Sequence, residues 1–437
     1  MKIGVVGLGH VGLVSAACLA HVGHDVVGVD SQKERVERLK GGRLPFFEPG
    51  LEELVSETTA AGRLEFETDP RAAVQEPEVV LICVGTPARP TGEADLSQVE
   101  NLATQLGAHL HSYRVLAEKS TVPVQTGQRI LKTIGRMVTT DFDVVSNPEF
   151  LSEGTAIRDT LEPSRIVIGS DSERATQLML DVYKPIIERS RCPVMCTDVA
   201  TAELIKHASN AFLANKISFI NSIADFCEAS GANIEDVARG MGLDPRIGND
   251  FLRAGIGYGG SCFPKDVAAF AALGETLGCD VGILRAIEAV NLQGVPKLLK
   301  KLRAELWNLS NKRIAVLGLA FKPGTDDLRD APALKLIEQL VADEAEVVVY
   351  DPAAMPKAKE SLPAAVRFAD SAPAAMSGAD AAVFATEWDE FRGLEPAVIG
   401  GALKFPLVID GRNLFDPAEM ASAGITYLSV GRPPVRP

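Results

Sequence analysis

The 437-residue sequence is short of several things, and each shortage excludes a class of function. No run of about 18 consecutive apolar residues occurs, so no transmembrane helix is expected. The opening Met1-Lys2-Ile3-Gly4 leads straight into a strand pattern, so no secretory leader is expected either. Basic charge is in deficit: 44 Lys and Arg stand against 58 Asp and Glu, a net charge of −14. Nucleic-acid binders usually carry a basic face, which argues against that class. An anionic small molecule stays compatible, because a local group of Lys and Arg is enough to hold one. The seven cysteines are Cys18, Cys83, Cys192, Cys196, Cys227, Cys262 and Cys279. An odd number without a leader fits a reducing, cytoplasmic setting. Cys192 and Cys196 have no His pair or second Cys pair nearby, so they read as surface or strand-edge thiols, and no metal is expected.

What is present is ordinary for a globular chain: 46% hydrophobic and 23% charged residues, 38 Gly and 26 Pro. At roughly 150 residues per domain, two or three domains are expected. Lys2–Val6 is a short apolar run ending at Gly7, followed by helical spacing from Val11 to Val22 and a second run, Asp25–Asp30. This is a βαβ unit. Further strand-like runs at Val79–Val84, Val115–Glu118, Val144–Ser146 and Ile166–Gly169 alternate with helical stretches such as Leu96–Leu110. The alternation predicts a doubly wound parallel sheet. From Thr201 to Ala229 neither Gly nor Pro occurs, and one long helix, apolar around much of its circumference, is predicted. More helix is expected around Leu284–Leu306. Arg313–Leu319 then echoes Lys2–Leu8, and Glu346–Asp351 echoes Asp25–Asp30. The fold class is therefore α/β: two Rossmann-like doubly wound domains joined by a central helical domain. The expected divisions are 1–198, 199–308 and 309–437.

Gly7-Leu-Gly9-His-Val-Gly12 fits the dinucleotide fingerprint in its required setting, after a strand and opening a helix, with Asp30 ending the next strand. Asp30 favours NAD over NADP, although Lys33 and Arg35 temper that preference. In the third block Ala320 and Pro323 replace the second and third glycines, so that block is expected to bind something else. Gly255-Ile-Gly-Tyr-Gly-Gly-Ser-Cys262-Phe-Pro-Lys-Asp266 puts a thiol after a glycine-rich loop whose backbone N–H groups are expected to face an anion. Pro264 and the apolar run after it place Cys262 at a helix N-terminus, where thiolate is favoured. The commonest fate of a cysteine is structural burial; the loop and the charged residues beside it argue against that here. Asp266 is four residues on and would share a face with Cys262. Lys206 and Asn210, also four apart, need partners if they face inward. Glu149 and Glu153 are four apart again, and by spacing alone read equally well as surface carboxylates.

Taken together, these motifs resemble the nucleotide-sugar 6-dehydrogenases, the UDP-glucose/GDP-mannose dehydrogenase family, over nearly the whole chain. The resemblance also rests on Pro45-Phe-Phe-Glu-Pro-Gly50, Val84-Gly-Thr-Pro87, Glu118-Lys-Ser-Thr-Val-Pro123, Asn147-Pro-Glu-Phe-Leu-Ser-Glu-Gly154, Gly318-Leu-Ala-Phe-Lys-Pro-Gly324 and Asp410-Gly-Arg412. Cys262-Phe263 looks more like the UDP-glucose branch than the GDP-mannose branch. The resemblance implies NAD-dependent four-electron oxidation of UDP-glucose to UDP-glucuronate, through a thiohemiacetal and a thioester on Cys262. The same reaction on GDP-mannose or another nucleotide sugar is the alternative. It implies catalytic roles for Cys262, Lys206, Asn210, Asp266, Glu149 and Thr121. NAD contacts would come from Gly7, Gly9, Val11, Gly12, Asp30, Arg35, Thr86, Thr121, Glu153, Lys265 and Arg329.

Nucleotide-sugar contacts are implied for Glu149, Phe150, Leu151, Lys206, Asn210, Phe251, Arg253, Gly255, Tyr258, Gly259, Phe321, Lys322 and Arg412. Arg246 matches a residue that reaches a neighbouring subunit's substrate, implying a homodimer or larger homo-oligomer. Lys206, Arg246, Arg253, Lys322 and Arg412 would supply the local positive charge that the composition hides. Two departures from the family pattern stand out: Lys322-Pro-Gly-Thr-Asp-Asp-Leu-Arg-Asp-Ala-Pro332 where Arg-Glu-Ser-Pro is usual, and His207 where Tyr or Leu is common. A two-electron hydroxyacid-type dehydrogenase would share the first Rossmann unit without needing Cys262. A non-catalytic NAD-binding or redox-sensing protein would not need the set Cys262, Lys206, Asn210 and Asp266.

Overall fold

Four of the five residues in Lys2–Val6 are buried, as are all four in Val79–Ile82. Strands with no polar face belong inside a sheet covered on both sides. The computed structural model describes residues Met1–Pro437 and shows two such sheets. The first comprises β1 (Lys2–Val6), β2 (Asp25–Val29), β3 (Leu64–Glu67), β4 (Val79–Ile82), β5 (Arg114–Glu118), β6 (Phe142–Ser146), β7 (Ile166–Gly169) and β8 (Val194–Thr197). Their order is β3-β2-β1-β4-β5-β6-β7-β8. The pairings are parallel except β6 with β7, which meet antiparallel at Ser146 and Gly169. The all-parallel expectation thus fails at this one junction.

The second sheet comprises β9 (Arg313–Leu317), β10 (Glu346–Tyr350), β11 (Arg367–Phe368), β12 (Ala381–Phe384), β13 (Leu407–Asp410) and β14 (Thr426–Ser429). Its order is β11-β10-β9-β12-β13-β14, with every pairing parallel. That is the Rossmann order, as in the first six strands of the first sheet. The echo between the two halves extends to atoms. Gly7 and Gly318 both take positive φ, +95° and +92°. Their N–H groups donate to Val29 O and Tyr350 O, each at 2.8 Å.

The long helix runs Val199–Ser230, close to the expected Thr201–Ala229. The Leu284–Leu306 stretch is two helices, Gly282–Leu292 and Gly294–Leu306, meeting at Gln293. Gly294 explains the close packing there: a Cβ on it would lie 1.9 Å from Ile256 O. The chain forms two compact units, Met1–Ser209 and Asn210–Pro437, and the boundary falls inside the long helix. No helix is long and apolar enough to cross a membrane.

In the second unit, Phe384 is fully buried, with ring centroids 4.9 Å from Phe415 and 5.9 Å from Phe391. Phe384→Ala is expected to cost about 3–5 kcal/mol by leaving a cavity. Denaturant unfolding checks this: the midpoint should fall below that of the wild type.

Candidate active site

The first unit holds a dinucleotide-type turn in which each fingerprint glycine has its own reason. Gly7 has positive φ, and a Cβ on it would lie 2.5 Å from Cys83 O. A Cβ on Gly12 would lie 1.8 Å from Gly7 O, so only glycine lets the helix His10–His21 seat on the strand. Gly9 differs: a Cβ there would meet nothing within 4 Å. Its bareness serves whatever approaches from outside, which fits a pyrophosphate at a helix N-terminus. Val11 is half-buried in the first turn of that helix. Asp30 is buried and accepts Leu8 N and Gln32 N, each at 2.9 Å. Arg35 reaches Asp30 Oδ2 at 2.7 Å, so the cation that tempers the NAD preference is held by the acid itself. These residues fit NAD.

Thr86 and Thr121 stand in the loops that follow β4 and β5, and Thr86 Oγ1 donates to Thr121 O at 2.8 Å. Beyond β6, Glu149 is buried rather than exposed. Its Oε1 lies 3.0 Å from Lys206 Nζ, and its Oε2 accepts Leu151 N at 2.7 Å. Phe150 lies between two cations, with Lys206 Nζ 5.4 Å and the Arg165 guanidinium 3.7 Å from its ring centre. Glu153 is half-buried on the same segment. His207 Nε2 lies 2.8 Å from Val122 O, so this departure from the family pattern is a buried tie to the strand-end loop.

The second unit carries the thiol. Cys262 is exposed and caps the helix Phe263–Thr276, as the Pro264 signal predicts. Asp266 N donates back to Cys262 O at 2.8 Å, which puts the acid one turn along. Asp266 is buried; Asn210 Nδ2 donates to its Oδ2 at 2.6 Å and Lys265 Nζ lies 2.9 Å from its Oδ1. Seven thiols and no disulfide are present.

The glycine-rich loop departs from expectation. Gly255 to Gly260 is buried, and four of its N–H groups serve the protein. Gly255 N donates to Asn221 Oδ1, Ile256 N to Gly411 O, Tyr258 N to Asn291 Oδ1 and Gly260 N to Arg329 O. The glycines are there for close packing: a Cβ on Gly259 would lie 2.4 Å from Asp330 O, and one on Gly260 2.8 Å from the Phe321 ring. Phe251 sits at φ +65°, 6.0 Å from the Phe263 ring, which Tyr258 also meets edge-on at 5.8 Å. Arg253 is exposed.

The positive charges are not a bare patch either. Arg246 is held by Asp244 at 2.6 Å. Arg412 donates to Ala385 O at 2.8 Å, Gly257 O at 3.0 Å and Phe321 O at 3.4 Å, with Glu387 3.3 Å away. Arg329 makes a two-pronged contact to Asp327. Lys322 Nζ lies 5.7 Å from the Phe321 ring.

Sequence reasoning gave no role to a group of buried polar residues at the end of β5. Lys119 Nζ donates to Tyr183 Oη at 3.1 Å and Asn147 Oδ1 at 3.3 Å, holding the turn that leads to Glu149. The legible signal was a Glu-Lys pair directly after the apolar run Val115–Ala117. Glu118 accepts Ser120 N at 2.8 Å on one oxygen, while the other finds no partner. Burial pushes its carboxyl up to about 8. The unfolded chain releases that proton near pH ~4.3. Across the interval between, the folded state holds a proton the unfolded state has lost, so stability falls as pH rises through it. Glu118→Gln should therefore melt close to wild type at pH 5 and above it at pH 8. A melting gap that stays constant over that range would contradict the assignment. A second test addresses the turn: Gly12→Val should abolish NADH binding in a fluorescence titration, since its side chain collides with Gly7 O.

Known proteins with the same build bear on these sites. The chain matches the NAD binding domain of the UDP-glucose/GDP-mannose dehydrogenase family over residues 1–212, its central domain over 200–293 and its UDP binding domain over 315–417. It is 46% identical to a UDP-glucose 6-dehydrogenase of Rhizobium meliloti over 99% of this chain and all of the relative. It is 44% identical to the UDP-glucose 6-dehydrogenase TuaD of Bacillus subtilis over the whole of this chain and 94% of the relative. A solved UDP-glucose dehydrogenase from Pyrobaculum islandicum superposes with a TM-score of 0.92 at 38% identity, covering 99% of this chain and 98% of that one. With all three domains in order along the full length, the chain belongs to the UDP-glucose/GDP-mannose dehydrogenase family.

Proposed function

We propose that the protein oxidises the primary alcohol at C6 of UDP-glucose to the carboxylate, giving UDP-glucuronate and consuming two NAD⁺. The observation that carries this reading is Cys262: exposed at the head of a helix, one turn before a buried acid that Asn210 holds. A two-electron dehydrogenase has no use for that thiol. The relatives named for UDP-glucose support the choice of sugar.

When bound, NAD accepts a hydride from C6, once for each two-electron oxidation. The aldehyde made first has no further hydride to give until a nucleophile adds to it. Cys262 Sγ forms a bond to the aldehyde carbon and the carbonyl oxygen takes up a proton, giving a thiohemiacetal. Loss of the remaining C6 hydrogen as hydride, together with the hydroxyl proton, leaves a thioester. Water then attacks the acyl carbon, the C–S bond breaks, and the thiol is restored with release of the carboxylate. Lys206 and Asn210 steady the charge that develops on the C6 oxygen. Asp266, with a water held by Thr121, moves the proton of the alcohol, and Glu149 serves the hydrolysis.

The remaining assignments belong to the same reading. The 1–198 block holds NAD, with Glu153, Lys265 and Arg329 as further contacts. The 199–308 block supplies the thiol, and 309–437 holds the nucleotide through Phe321, Lys322 and Arg412. The setting is cytoplasmic, in keeping with seven thiols and no disulfide. The protein works as a homodimer or larger homo-oligomer. Phe212, Phe219 and Phe226, seven residues apart on the long helix, are exposed at 63%, 46% and 71%, an apolar stripe that asks for cover.

Incubation with UDP-glucose and NAD⁺ should release two NADH per sugar, and Cys262→Ala should lose turnover. One NADH per sugar, or a fully active Cys262→Ala, overturns the mechanism. Faster turnover of GDP-mannose, run in parallel, would move the substrate assignment to the other branch of the family.

A further inference from the structure

The segment Pro45–Gly50 has no part in the chemistry above, yet its acid is buried and engaged on both oxygens. Glu48 is 4% exposed. Its Oε2 lies 2.8 Å from His10 Nε2 and accepts Gly154 N at 2.7 Å. Its Oε1 accepts Ala156 N at 2.8 Å. The His10 ring is held from another side by Phe46, stacked at 4.4 Å between centroids. The donors come from two stretches of chain remote from each other. His10 lies inside the fingerprint turn, between Gly9 and Gly12. Gly154 directly follows Glu153, and Ala156 opens the next helix.

We propose that Glu48 is a positioning residue of the dinucleotide site, fixing the fingerprint turn through His10 and the Glu153-bearing turn through Gly154 and Ala156. This rests on the NAD reading above. A glutamine at 48 has one acceptor oxygen for three donors, and its own NH₂ would face a backbone N–H. At least one buried donor would then lose its partner, and one of the two turns would lose its anchor.

The test uses the full-length protein, with NADH affinity read by fluorescence and steady-state constants for both substrates. With one buried donor left unpaired and one turn loosened, Glu48→Gln should weaken NADH roughly tenfold. The KM for NAD should rise by a similar factor, while kcat at saturating NAD and the KM for UDP-glucose stay within about threefold. His10→Ala removes one donor and leaves both backbone bonds to Glu48 in place, so it should also weaken NADH. Combined with Glu48→Gln it should weaken NADH by less than the product of the two single effects. Wild-type NADH affinity in Glu48→Gln overturns the proposal, as does an equal rise in both KM values, which a general loss of structure would give. Should Glu48→Gln fail to fold, His10→Ala decides: unchanged NADH affinity overturns the proposal. A wild-type protein that binds no NADH would instead overturn the NAD reading itself.

Discussion

The buried pair of Lys206 and Glu149, 3.0 Å apart, sets the terms for the first unit. Taking two charges out of water costs several kcal/mol per ion, and only good geometry with further hydrogen bonds recovers it. The surroundings meet that demand. Leu151 N occupies the second oxygen of Glu149, and the face of Phe150 lies beside the ammonium. Asn147, two residues before Glu149, is pinned by Lys119 and reaches Val167 O at 2.9 Å. A carboxylate and an ammonium held this firmly have little freedom left to rearrange.

The two Rossmann units show how one turn geometry serves two purposes. In both, a strand-ending acid accepts the N–H of the leucine after the first glycine: Leu8 N to Asp30 at 2.9 Å, Leu319 N to Asp351 at 2.7 Å. After that they diverge. In the first unit a helix begins at His10, and its open N–H groups face an unobstructed Gly9. In the second the next helix begins only at Pro332. Pro323, having no N–H, cannot contribute to such a cradle. Asp351 is also filled, by Ala320 N, Ala353 N, Ala354 N and Trp388 Nε1. The second turn has become a fixed support for Phe321 and Lys322, with nothing left over for a ribose.

Local pattern carried most of the architecture. The apolar runs placed β4, β5 and β7 within a few residues, and the Gly-free, Pro-free stretch placed the long helix. These signals are legible because each element's periodicity is written into its own residues. The antiparallel β6–β7 junction is not written there, since strand direction depends on how the chain returns. The same limit applies to the sites. Cys262 at a helix start and the roles of Gly7 and Gly12 follow from neighbouring residues. The burial of Glu149 does not, because its partner lies 57 residues away. The glycine-rich loop misled for a related reason. Glycine permits both an open anion cradle and tight packing, and only the tertiary neighbours Asp330 and Phe321 decide between them.

That correction changes how an acidic chain would hold a diphosphate. The expectation was local positive charge from Lys206, Arg246, Arg253, Lys322 and Arg412 in a chain of net charge −14. Of these, Arg412 is laid along three carbonyl groups beside Glu387; Arg329, outside that group, is likewise forked onto Asp327. Each arginine has lost much of its rotamer freedom on folding, before any ligand arrives. Ordering a long side chain at the moment of binding costs about 0.5–1.5 kcal/mol, so cations fixed in advance hold an anion with less to offset. The acids beside them belong to the same device. Glu387 and Asp327 orient the guanidinium groups they touch and offset their charge. A sequence rich in Asp and Glu is therefore compatible with an anionic ligand where some of those acids orient the cations beside them.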